Sequence, residues 1–148
     1  MIYKALIKDV PDIVKLGFEF YEESLKEYGL SFDEATLIKT VTYFVKNSIT
    51  LICIENEKTV GVISAIVHPS IFDEKEIFAE ELMWYVNKEN RNGRAGLELL
   101  KEFTNVCKKK GVSKIIMMHM ENLNADIMDR LYKKKGYKKM ESHFIGGI

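Results

Sequence analysis

The sequence predicts a mixed α/β sheet flanked by helices, built as a single domain over residues 1–148. Three observations carry that expectation. Short apolar runs of strand length recur along the chain, and stretches with helical apolar spacing lie between them. Their order is strand, two helices, three strands, helix, strand, helix, strand.

Ile2 to Ile7 reads as the first strand. Asp9 caps a helix whose first turn holds Pro11 and Asp12, and Ile13, Leu16, Gly17, Phe20 and Ser24 give it an apolar face that ends near Gly29. A second helix starts at Ser31–Asp33 and carries Leu37, Ile38, Val41 and Val45 to Asn47. The dense aromatics here, from Phe18 to Phe44, fit core packing, with a substrate cleft beside the helix pair as the sharper alternative. Thr50–Ile54 and Thr59–His68 form a hairpin around the polar turn Glu55–Lys58. Gly61 in its second arm signals a bulge or a close backbone approach.

Phe78–Val86 is the next strand, and a helix from about Arg94 to Lys110 buries Leu99, Leu100, Phe103, Val106 and Cys107. Lys114–Met120 has the length and apolarity of a central strand. Asn124–Lys135 is helical, closed by Gly136, and Tyr137–Ile145 supplies a last strand or hairpin.

Composition narrows the function classes. Apolar residues make up 47% and charged residues 30%, an ordinary globular balance. The 22 Lys and Arg are matched by 22 Asp and Glu, so no net charge draws the chain to nucleic acid or to a membrane. Cys53 and Cys107 sit in apolar contexts as reduced core thiols, and neither they nor the three His have metal-ligand spacing, so no metal is expected. The start lacks a signal peptide and the Val60–Val67 run is too short to span a bilayer, which points to the cytoplasm.

The stretch from Glu80 to Phe103 organises the chain. An apolar strand runs into Asn87-Lys88-Glu89-Asn90-Arg91-Asn92-Gly93-Arg94-Ala95-Gly96 and then into an amphipathic helix. The first N–H groups of a helix lack internal partners and its dipole is positive there, so such a turn suits an anion. Gly93 and Gly96 clear side chains from a phosphate's approach, and Arg91 and Arg94 add charge. A plain connection with solvated Arg is the alternative.

With that order in hand, the chain resembles the GNAT superfamily of N-acetyltransferases. Val86, Arg91 and Gly96, followed by Leu99-Leu100, match the family's strand-loop-helix segment. Lys88, Asn90 and Arg94 depart from its usual Pro, aromatic and middle Gly. Leu131-Tyr132-Lys133-Lys134-Lys135-Gly136-Tyr137 matches the family's Leu-Tyr-x-x-x-Gly-Phe, with Asn124 one residue off the usual spacing.

The resemblance implies a mostly antiparallel sheet splayed at the cofactor site and acetyl-CoA as acetyl donor. It also implies direct attack by a primary amine in a ternary complex. Backbone groups of Asn92, Gly93, Arg94, Ala95 and Gly96 would hold the pyrophosphate, with Arg91 and Arg94 beside it. Trp84, Tyr85 and Val86 would line the pantetheine arm, and Asn124 would also contact the cofactor. Glu80 and Glu81 alternate across their strand, and Glu81 is preferred as the base. Tyr132 falls at the general-acid position.

His119 reads as a packed core residue, His68 as a strand end bordering the acceptor site and His143 as surface. The acceptor is a small-molecule or protein amine. Glu19, Glu22, Glu23, Asp73, Glu74 and Glu76 either suit a cationic acceptor or are simply solvated. A homodimer through the sheet edges is compatible with the sequence. The alternative function is a non-catalytic acyl-CoA-binding or regulatory module, which Arg94 in the loop keeps open.

Overall fold

A computed structural model describes all 148 residues. Five strands form one sheet in the order β1-β2-β3-β4-β5: β1 Ile2–Lys4, β2 Ile49–Glu55, β3 Lys58–Pro69, β4 Ile77–Val86 and β5 Lys114–Ile116. The first four pair antiparallel, and β5 joins β4 in parallel. Four α-helices accompany them: α1 Val10–Phe20, α2 Glu34–Asn47, α3 Ala95–Lys109 and α4 Ala125–Lys134.

Side-chain alternation in β2 and β3 sorts the core into two layers. On one face, Leu51, Cys53 and Ile63 pack with Leu99, Leu100, Phe103 and Cys107 of α3. On the other, Ile52, Val62 and Tyr85 pack with Ile13 and Leu16 of α1 and with Val41 and Val45 of α2. Both cysteines are buried in the first layer as free thiols. Burial pushes the Cys107 thiol up to about 11.

The helix starts follow the sequence. Asp33 caps α2, its carboxylate accepting the Thr36 N–H at 2.7 Å. Asp9 precedes α1 and accepts instead from the Leu6 N–H at 2.8 Å, which fixes the turn into the helix. After Phe20 the helix widens into a π turn over Tyr21–Leu25, then tightens into a 3₁₀ turn that ends at Gly29. Gly61 is the close approach its position suggested: a Cβ there would lie 3.0 Å from Val86 Cγ2 and 3.2 Å from the Tyr85 carbonyl oxygen.

Two expectations need correction. The strand over Lys114–Met120 stops at Ile116, because β4 and β5 pair only through Phe78–Glu80 and Lys114–Ile116 before they part. The strand or hairpin over Tyr137–Ile145 is absent: residues 135–148 carry no regular structure. The Tyr137 N–H turns back onto the Tyr132 carbonyl at 3.0 Å and closes α4 instead of opening a strand.

Candidate active site

The gap between β4 and β5 is where two of the sequence-predicted residues, Glu81 and Tyr132, come together. One strand step beyond the last paired residue of β4, Glu81 is 4% exposed and accepts the Met118 N–H at 3.0 Å. That amide belongs to the chain just past β5, so a carboxylate replaces the next rung of the ladder. A register shift beside it, with Ser64 opposite Met83 and Ala65 opposite Glu81, leaves Leu82 as a bulge. Tyr132, on α4, enters from the helix side and donates its hydroxyl to the Met118 carbonyl at 2.7 Å. Glu81 and Tyr132 therefore meet on the two polar ends of one residue.

Electrostatics distinguish the pair. Burial, only partly offset by the Met118 N–H, pushes the Glu81 carboxyl up to about 7. Burial also holds Tyr132 well above an ordinary phenol, and the Glu81 charge adds to that shift. A carboxylate that titrates near neutrality is a base able to take and release a proton. Glu80 points the other way, its Oε2 3.2 Å from His68 Nε2. His68 thus belongs with Glu80, outside the gap.

Trp84 is half-buried, its ring 6.3 Å from that of Tyr132. The His119 ring stacks with Tyr132, also at 6.3 Å, and its Nε2 lies 2.9 Å from Asp129 Oδ1. It is packed and hydrogen-bonded, as its place in an apolar run suggests, although the run does not identify Asp129 as the partner. Beyond Glu80 no strand flanks β4 on the β5 side, so the edge along Trp84, Tyr85 and Val86 is open there.

Downstream, Asn87–Arg94 leads into α3. Gly93 donates to the Asn90 carbonyl at 3.1 Å, and the first helical bond runs from Glu98 N–H to Arg94 O at 2.9 Å. The N–H groups of Ala95, Gly96 and Leu97 find no acceptor in the protein. A Cβ on Gly96 would sit 3.7 Å from Trp84 and Val86, which is ordinary contact. The fold itself does not require glycine there, and the missing side chain leaves the N–H cluster open to an approaching group. Asn92 and Arg94 are exposed at the mouth of this cradle. The donor set fits a pyrophosphate.

Arg91 is used differently from the sequence expectation. Its guanidinium is committed to the protein: Nε donates to the Val86 carbonyl at 2.8 Å, and Nη1 and Nη2 grip Glu23 at 2.6 and 2.5 Å. It also lies over the Tyr85 ring, 4.9 Å from the centroid. Tyr85 is buried and donates its hydroxyl to Glu23 at 2.9 Å, while Val86 is buried against α3. Asn124 opens α4 in the left-handed region with its side chain exposed and making no capping bond.

An open groove of about 440 Å³ runs beside the loop, lined by Lys15, Glu19, Glu22, Glu23, Lys88 and Glu89 among others. Sequence reading placed Glu19, Glu22 and Glu23 near an acceptor without separating them from solvated surface. It gave no signal for Met118, whose contribution is purely backbone.

Known proteins match this architecture. The family model described as acetyltransferase (GNAT) family matches residues 13–137. Among solved structures, a possible acetyltransferase from Clostridium difficile aligns with TM-score 0.77 and 19% identity, covering 100% of this chain and 96% of the other. An aminoglycoside acetyltransferase from an uncultured soil metagenomic sample gives 0.75 and 17%, covering 100% and 95%. A predicted acetyltransferase from Clostridium acetobutylicum, solved with acetyl-CoA, gives 0.75 and 15%, covering 99% and 95%. No curated protein matches by sequence. No helix here is long and apolar enough to cross a membrane. With the splayed mixed sheet and the open helix start in place, the family match settles the lineage: the chain belongs to the GNAT acetyltransferases, whose acetyl donor is acetyl-CoA.

Proposed function

We propose that this single domain transfers an acetyl group from acetyl-CoA to a primary amine by direct attack, with Glu81 as base and Tyr132 as acid. The observation that carries the reading is the junction at Met118, where a carboxylate with a pKa of about 7 and a phenol converge in the β4–β5 gap. Acetyl-CoA supplies the acetyl group as an activated thioester.

The chain's own residues divide the remaining work. The free N–H groups of Ala95, Gly96 and Leu97, with the loop Asn92–Arg94 before them, bind the pyrophosphate, and exposed Arg94 adds charge. The open edge of β4 at Trp84–Val86 orients the pantetheine arm, and Asn124 at the exposed start of α4 contacts the cofactor. Glu81 takes the proton that an ammonium must lose before it can attack. The Tyr132 hydroxyl, kept protonated by burial, turns from the Met118 carbonyl to donate to the departing sulfur. Arg91 acts through the protein rather than on the phosphates. The carboxylates along the groove favour an acceptor that carries further positive charge, whether a small molecule or a protein amine.

Calorimetric titration with acetyl-CoA, CoA and ADP tests the cofactor site. Binding that Gly96→Glu abolishes supports it, because the new carboxylate fills the cradle and repels phosphate. Free CoA release with an amine panel then tests turnover. Binding without release with any amine would favour a non-catalytic acyl-CoA-binding module. No binding to any of the three ligands would overturn the cofactor site.

A further inference from the structure

We propose that Glu23 is a positioning residue for the acetyl-CoA loop, acting through Arg91. The inference rests on the function proposed above but concerns a residue remote in sequence from the loop. Glu23 projects from the π turn at the end of α1, a helix irregularity of the kind that recurs at functional sites. Its side chain is 13% exposed, and both carboxylate oxygens face the Arg91 guanidinium in a two-pronged pair.

The latch spans three elements. Arg91 also holds the Val86 carbonyl, the last residue of β4, and lies over the Tyr85 ring, whose hydroxyl donates to the same carboxylate. Lys88 Nζ stands 3.8 Å from Glu23 Oε1, so a second loop cation completes the grip. The loop between β4 and α3 has few other anchors. The Asn87 N–H donates to the Val60 carbonyl of β3 at 3.0 Å and Asn90 Nδ2 donates to Glu55 at 3.0 Å, while the remaining backbone bonds of the loop are local turns. The helix α3 itself is held by core packing from Ala95 onward, but the path of the loop that leads into it is tied to a carboxylate in the π turn after α1. Without it, the loop keeps its sequence and its N–H groups but loses their fixed direction. Binding an anion there then costs the ordering that Glu23 provides in advance.

Two measurements on the full chain test this. Hydrogen exchange of the unliganded protein reads the loop directly. Glu23→Gln is expected to speed exchange of the amides over residues 88–94 about tenfold, while amides of β2 and β3 keep their wild-type rates. Titration with acetyl-CoA reads the consequence: dissociation constants for Glu23→Gln and Arg91→Lys should each rise about tenfold, and the double variant should be no worse than either single one. In turnover, the KM for acetyl-CoA should rise more than kcat falls.

Unchanged loop exchange in Glu23→Gln would overturn the proposal, whatever the ligand does. Faster loop exchange with wild-type affinity would overturn it as well. Exchange that quickens across the whole sheet would show a plain stability role instead. If the wild type binds no acetyl-CoA, the proposed function fails, and the exchange arm alone shows whether the latch orders the loop.

Discussion

At the Glu81 end of the open half of β4, midway along the strand, a carboxylate is buried with a single backbone N–H as donor, and its pKa rises to about 7. At the other end of the strand, Glu23 meets the Arg91 fork, the Tyr85 hydroxyl and Lys88, and its carboxyl is held below the usual range, mainly by the Arg91 bonds. Both groups lie largely out of water. What differs is the number of donors that reach them. Desolvation without compensation leaves a carboxylate ready to exchange a proton near neutrality, whereas desolvation with a full set of donors fixes it as an anion and makes it a clamp. On the proposed function, this half of the strand carries a chemical end and a mechanical end about five residues apart.

Substitutions at the chemical end should produce the largest effects. Glu81→Gln keeps the shape and can still accept the Met118 N–H, but it cannot take a proton. Turnover is expected to fall by about 100- to 10,000-fold, with acetyl-CoA affinity changed less than about twofold. Equal losses in both quantities would collapse the comparison by making Glu81 a binding residue. Steady-state rates beside calorimetric affinities decide it.

Tyr132→Phe should lower turnover by about 10- to 100-fold and stability by only about 1 kcal/mol, the value of one hydroxyl–carbonyl bond. Full turnover would remove the acid from the account. Gly61→Ala probes the strand between the two ends. Its Cβ would press on a backbone carbonyl that cannot move alone, so a loss of about 1–3 kcal/mol is expected in denaturant unfolding. A silent substitution would mean that β3 and β4 can separate there, and that the two ends are less rigidly joined than they look.

Much of this layout is legible in the residues. Leu99, Leu100, Phe103 and Cys107 at helical spacing announce the buried face of α3, and alternation along β4 separates Glu80 from Glu81. The Gly-containing turn announces an open helix start because unsatisfied N–H groups follow from helix geometry alone. Other features depend on partners that spacing does not encode. Arg91 reads as a phosphate ligand until Glu23, 68 residues away, is brought against it. The end of β5 at Ile116 reflects a carboxylate taking the place of a strand, and nothing in the apolar run Ile115–Met120 marks where that happens. The strand expected over residues 137–145 does not form: the Tyr137 N–H closes α4 on the Tyr132 carbonyl, and the chain beyond pairs with no strand.

The proposed base role turns on the proton held by Glu81, and the linkage of that proton to folding can be measured without knowing the acceptor. The unfolded chain releases that proton near the ordinary value of 4.5, and the folded chain near 7, so between those values the folded state binds more protons. Stability should therefore fall as pH rises through this window. Denaturant unfolding of wild type and Glu81→Gln from pH 4.5 to 8 isolates the effect as a difference. The account predicts that wild type loses about 3 kcal/mol relative to the variant across the window, then levels off above pH 7. A difference that stays flat would show that Glu81 titrates as an ordinary carboxylate, and the base assignment would fall with it.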